Sequence, residues 1–180
     1  MSENEQRLVI EIPRVAPAVL SSVWKKMRSG EQLHDQEIYI GRSMADHPDW
    51  FPIFETMDVL KGDDTLPDGT NPFLHLSFHT LLGSQVFNGK PVAAQSFYQQ
   101  RNRRGDSGHA IIHMMMVVFQ TELHALTTHG HGASAPQFNW ASYGKRLRKL
   151  ARLKTKDVWQ KLGYSRVPEL ADFHRGSPEQ

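Results

Sequence analysis

Two pairs of histidines, His75 with His79 and His109 with His113, are the residues of this chain best placed to do chemistry. Each pair is spaced i, i+4 within an apolar stretch. On an α-helix that spacing sets two rings on one face, about 40° apart in azimuth and roughly 6 Å apart along the axis. Neutral imidazole is a borderline ligand suited to Zn, Fe, Ni or Cu, so two neighbouring helices of this kind can gather three or four nitrogen donors around one point. The chain has no cysteine, which rules out disulfides and thiolate ligation and leaves His, Asp and Glu as the strong ligands. The expected cofactor is therefore a transition metal or zinc ion held by His75, His79, His109 and His113. His47 is an additional candidate, and Asp46 and Glu55 are the acids that can complete or support the set.

The same pattern has a plainer reading. Buried histidines can hydrogen-bond to Asn71, Ser77, Gln120 or backbone carbonyls, because a buried polar group without a partner costs on the order of 1 to 3 kcal/mol. Four inward histidines are a costly way to build an ordinary core, however. Other chemistries lack their motifs: there is no glycine-rich phosphate loop, no GxSxG and no HExxH. No catalytic residue is assigned.

The elements that must position these rings are helices. From His75, steps of three, four, seven and eleven residues reach Phe78, His79, Leu82 and Val86; from His109 they reach Ile112, His113, Met116 and Gln120. Both pairs thus lie on an apolar stripe, while Glu122 falls about half a turn from His113. Asn71 and Pro72 read as the cap and first turn of the first histidine helix, which Asn88-Gly89 stops. Asp106 reads as the cap of the second, which runs to about Thr128. Upstream, a helix is expected from Pro17 to Ser29 and another from Asp35 to Ala45, ended by Pro48. His47 then sits at a helix end, where an imidazole caps the last carbonyls. Residues 48–60 form a short helix or turn and 61–70 a loop. Met114, Met115 and Met116 read as core filling. Residues 7–12 alternate as one short strand, an extended N-terminal arm that can lie on the surface or pair with its copy in a homodimer. Residues 129–136 read as a linker. The expected fold is an all-α bundle of five to six helices, divided into a histidine-bearing core over 1–136 and a basic helical extension over 137–180.

Charge is uneven along the chain. With 21 basic and 19 acidic residues the whole is nearly balanced, yet Lys145, Arg146, Arg148, Lys149, Arg152, Lys154 and Lys156 occur with no acid between them. Trp140, Tyr143, Leu147 and Leu150 supply the apolar side of that helix. Such a face is either solvated or a weak nucleic-acid contact through Lys145, Arg146, Arg148, Lys149 and Arg152, with Trp140 and Tyr143 available for stacking. No apolar run is long enough to span a bilayer and the first residues are polar, which points to a cytoplasmic protein without membrane contact.

Three segments also carry a resemblance: His47-Pro48-Asp49-Trp50, the block Asn71-Pro72-Phe73-Leu74-His75-Leu76-Ser77-Phe78-His79, and Arg104-Gly105-Asp106 followed by His109 and His113. Together they resemble the signature of a bacterial domain-of-unknown-function family of small helical proteins, over roughly Val23 to Leu126. The resemblance implies a helical protein whose signature is centred on these four histidines, and it implies no activity. It stops short of the basic C-terminal segment. Where the family pattern has an acidic residue just before the last histidine, this chain has Ile112.

Overall fold

Asparagine or proline opens several helices of this chain, and glycine caps the end of two of them, at Gly30 and Gly89. The computed structural model describes residues 15–129 and 138–169. Helix α1 (Pro17–Ser29) begins on its proline and ends at Gly30, whose φ of 74° is the left-handed conformation that favours glycine. Helix α2 (Gln36–Ala45) stops before Pro48: His47 adopts φ −124° and ψ 64°, outside the helical region that a following proline disfavours. A 3-10 turn, Pro48–Trp50, leads into the four-residue α3 (Phe51–Phe54). After a long loop comes α4 (Pro72–Asn88), where Asn71 Oδ1 accepts the Leu74 backbone N–H at 2.8 Å. Helices α5 (Val92–Asn102), α6 (Gly108–His129), α7 (Trp140–Ala151) and α8 (Thr155–Lys161) complete the order.

The fold is all-α, as the periodicity predicts. Eight helices stand among the described residues instead of five or six, and the excess is short elements, α3 of 4 residues and α8 of 7. The expected strand over 7–12 lies outside the described residues. So does the expected linker, apart from His129 at the end of α6. No helix among the described residues is long and apolar enough to cross a membrane.

Two apolar clusters form the interior. One joins Leu20 and Trp24 of α1, Ile40 and Met44 of α2, Trp50, Phe54, and the first turns of α4 through Phe73 and Leu76. The other joins Phe78 and Leu82 further along α4 to Phe97 of α5, Phe119 of α6, Leu147 of α7 and Trp159 of α8. Helix α4 runs through both clusters and packs on α2, α5 and α6. That explains why it is apolar nearly all round, the pattern of a buried helix. Met114, Met115 and Met116 are buried in the second cluster, filling space as expected. Helix α7 contributes Tyr143, Leu147, Leu150 and Ala151 to that same cluster, so its apolar side is core.

The cap of α6 differs from the expected one. Ser107, not Asp106, plays the part: its Oγ accepts the Ala110 N–H at 3.2 Å. Asp106 is drawn inward by a stronger partner, the wholly buried guanidinium of Arg101. Its other oxygen accepts the Thr155 hydroxyl at 2.7 Å, and Arg101 also donates to the Leu153 carbonyl at 2.6 Å and to Thr155 Oγ1 at 2.9 Å. This buried pair ties the α5–α6 turn to the α7–α8 turn. Removing one partner of such a pair strands the other's charge in the interior. Arg101→Ala should therefore lower unfolding free energy by about 3 to 5 kcal/mol in urea denaturation, with Arg101→Ala/Asp106→Ala losing much less than the two single changes added together; additive losses would mean that the pair is not coupled.

Candidate metal centre

Each histidine reaches the centre by a local rule. On α4 the i, i+4 spacing leaves the His75 and His79 rings 4.8 Å apart and nearly parallel, at 26°. On α6 the same spacing sets His109 and His113 4.6 Å apart. Because α4 packs on α6, the two pairs meet: His79 lies 4.7 Å from His113 and 5.2 Å from His109, and His75 lies 5.1 Å from His113.

The fifth ring comes from the other side. Pro48 turns the chain out of α2, and the His47 ring drops between the pairs, 4.8, 4.6 and 4.7 Å from His75, His79 and His109. It also caps, as its place at a helix end predicts: Nδ1 donates to the Ser43 carbonyl in the last turn of α2, at 2.6 Å. A carbonyl can only accept, so Nδ1 carries the proton of the neutral ring and Nε2 presents its lone pair to the cluster. Trp50 stacks on the outside of His47 at 4.7 Å and 23° and meets His75 edge-on at 5.0 Å.

The nitrogens converge more tightly than the rings. His47, His79, His109 and His113 are all buried, and each offers a ring nitrogen within 4.8 Å of the other three. Nε2 of His113 is 3.1 Å from Nε2 of His79 and 2.8 Å from Nε2 of His109. His75, half-buried, stands at the edge with its Nε2 2.9 Å from that of His47. One imidazole nitrogen carries either one proton or one lone pair, so Nε2 of His113 can pair well with only one of its two neighbours. Around an ion with metal–nitrogen bonds of about 2.1 Å, neighbouring nitrogens fall roughly 3.0 Å apart in octahedral geometry and 3.4 Å in tetrahedral; the two contacts of His113 are close to this, while the four-histidine set as a whole spreads to 4.8 Å.

The other sequence candidates lie elsewhere. Glu55 is exposed and faces Arg28 at 3.5 Å, and Asp46 is half-buried beside His47, its carboxyl pushed up by burial, with Arg42 opposing. Glu122 accepts from Ser142 and from Arg146 at 2.8 and 2.7 Å, on the α7 side of α6. Ser77 and Asn71, partners in the plainer reading, are engaged with backbone: Ser77 Oγ donates to the Phe73 carbonyl at 2.6 Å and accepts the Val15 N–H at 3.0 Å, and Asn71 caps α4. His124 is on the exposed side of α6. Trp50 is the contact that spacing alone did not single out, although its place three residues after His47 belongs to the HPDW segment.

Burial, and then the rings of His113, His75, His47 and His109, hold the pKa of His79 well below its ordinary 6.5. The neutral ring that results is the form that ligates a metal. The folded protein thus resists a proton that the unfolded chain accepts once pH falls below 6.5, so the unfolded state binds more protons there and stability drops with pH. Above 6.5 this contribution is constant. Metal-stripped protein should therefore lose urea resistance between about pH 6.5 and 5, by at most about 1.4 kcal/mol per pH unit for this one group, and His79→Gln should flatten the profile; an equal slope in the variant would assign the effect to other groups.

No curated protein and no solved structure matches the chain. A family model described as Domain of unknown function (DUF1841) matches residues 15–138, a span that holds all five histidines of the centre, and the chain belongs to that family.

Proposed function

We propose that this domain binds one ion of a first-row transition metal or zinc through His47, His79, His109 and His113, with His75 beside them at the partly open edge. The observation that carries this reading is the convergence of four buried histidines from three separate segments, each offering a ring nitrogen within 4.8 Å of the others, with Nε2 contacts of 2.8 and 3.1 Å around His113. An all-imidazole set suits Zn, Fe, Ni or Cu better than Mg or Ca, which prefer oxygen ligands. The Ser43 carbonyl fixes the tautomer of His47, the outer support that metal-ligating histidines usually have. The reading is of a metal-holding domain, and no reaction is assigned to it.

Protein purified without a polyhistidine tag and without chelator should contain close to one equivalent of such a metal by elemental analysis. His79→Ala should reduce it to trace, and His124→Ala on the exposed side of α6 should leave it unchanged. Trace metal in the unaltered protein after supplementation with iron, zinc, nickel and manganese would sink the proposal.

A double-mutant cycle on His79→Ala and His109→Ala tests whether the two helices share the ion. Coupling of about 1 to 3 kcal/mol is expected, shrinking when a chelator is present. Coupling that persists unchanged with chelator would identify a metal-free hydrogen-bonded cluster instead.

A further inference from the structure

Helix α7 turns a second face outward. Lys145, Arg148, Lys149 and Arg152 follow the steps i, i+3, i+4 and i+7, which place them within about 100° of azimuth along roughly 10 Å of axis, and all four are exposed. Arg146, next to Lys145 but about 100° round the helix, is drawn aside into its ion pair with Glu122. It therefore leaves the set that the basic sequence run defines. A second segment joins the stripe. Arg104 donates to the Arg152 carbonyl at 3.4 Å, and beneath it Arg101 holds the Leu153 carbonyl, so the turn carrying Arg103 and Arg104 adjoins the C-terminal end of α7.

These six cations have no acidic partner among the described residues. On α1, by contrast, Lys25, Lys26 and Arg28 face Asp58, Glu37 and Glu55 at 2.6, 2.6 and 3.5 Å. A rigid line of unneutralised cations raises the local potential and suits a linear array of phosphates. It does not suit insertion into a lipid surface, because the apolar side of α7 is already used up in the core. Nor can the aromatic residues of α7 stack on bases: Tyr143 is buried with its hydroxyl on Gln85, and Trp140 packs against Phe138 at 4.6 Å.

We propose that this surface binds the phosphate backbone of nucleic acid without reading its sequence, independently of the metal centre. Because α7 is part of the core, the test is substitution and not truncation. Fluorescence anisotropy of the full chain with labelled duplex DNA, and separately with single-stranded RNA, should show binding at about 50 mM salt that weakens on the order of 100-fold by 200 mM, the change expected when about four phosphates are neutralised. Arg148→Ala/Lys149→Ala should weaken binding to whichever nucleic acid binds and lower the log–log salt slope by about 2, whereas Lys25→Ala/Lys26→Ala should change neither. Circular dichroism checks that the variants fold, and Arg148→Gln/Lys149→Gln replaces the alanine version if that one does not. Absence of binding to both nucleic acids at low salt, a slope indifferent to Arg148 and Lys149, or tighter binding to phosphatidylserine vesicles than to either nucleic acid would each overturn the proposal.

Discussion

Five imidazoles occupy the seam where the two apolar clusters of this domain meet, and their mutual closeness constrains everything around them. Most of the rings stand 4.6 to 5.2 Å apart, with His47 and His113 at 6.3 Å, and two like charges at about 5 Å repel by roughly 3 kcal/mol even at an effective dielectric constant of 20. Burial and these neighbours accordingly favour the neutral form of His79. Neutral rings whose lone pairs are directed at one region are the form of imidazole that can ligate a cation. The same burial that would penalise a stray histidine leaves this group of rings able to hold a metal ion.

The supporting structure is economical. Helix α4 serves both apolar clusters and carries two of the rings, so the site cannot shift without moving the core. Pro48 performs two tasks, ending α2 and aiming His47 inward, while the Ser43 carbonyl left open at that helix end fixes which nitrogen of His47 is free. Trp50, in the turn that follows, covers the outer face of the same ring. The position of the fifth histidine thus follows from one proline, one unsatisfied carbonyl and one aromatic contact.

Away from the centre, the C-terminal helices are held by buried charge as well as by apolar packing. Arg101 with Asp106 joins two turns at one end, and Glu122 with Arg146 and Ser142 joins α6 to α7. These pairs engage Asp106 and Glu122, and the outward stripe of α7 has no acidic partner among the described residues.

Much of this was legible in the residues alone, because it depends on local geometry. The i, i+4 pairing of His75 with His79 and His109 with His113, their place on apolar stripes, the Asn71-Pro72 start of α4 and its stop at Gly89 all follow from the helical repeat and from capping chemistry. The exclusion of thiolate ligation follows from composition, because the chain has no cysteine. Tertiary structure decided what local rules cannot reach. That His47, 28 residues before His75, enters the tight set while His75 takes its edge depends on how α2 docks against α4. That Asp106 leaves the cap of α6 to Ser107 depends on Arg101 being buried beside it, where an ion pair outweighs one exposed capping bond. That Tyr143 is core and Arg146 is paired, although both belong to the basic helix, depends on which side of α7 meets α6. Spacing along a chain determines which residues share a face; only packing determines what that face meets.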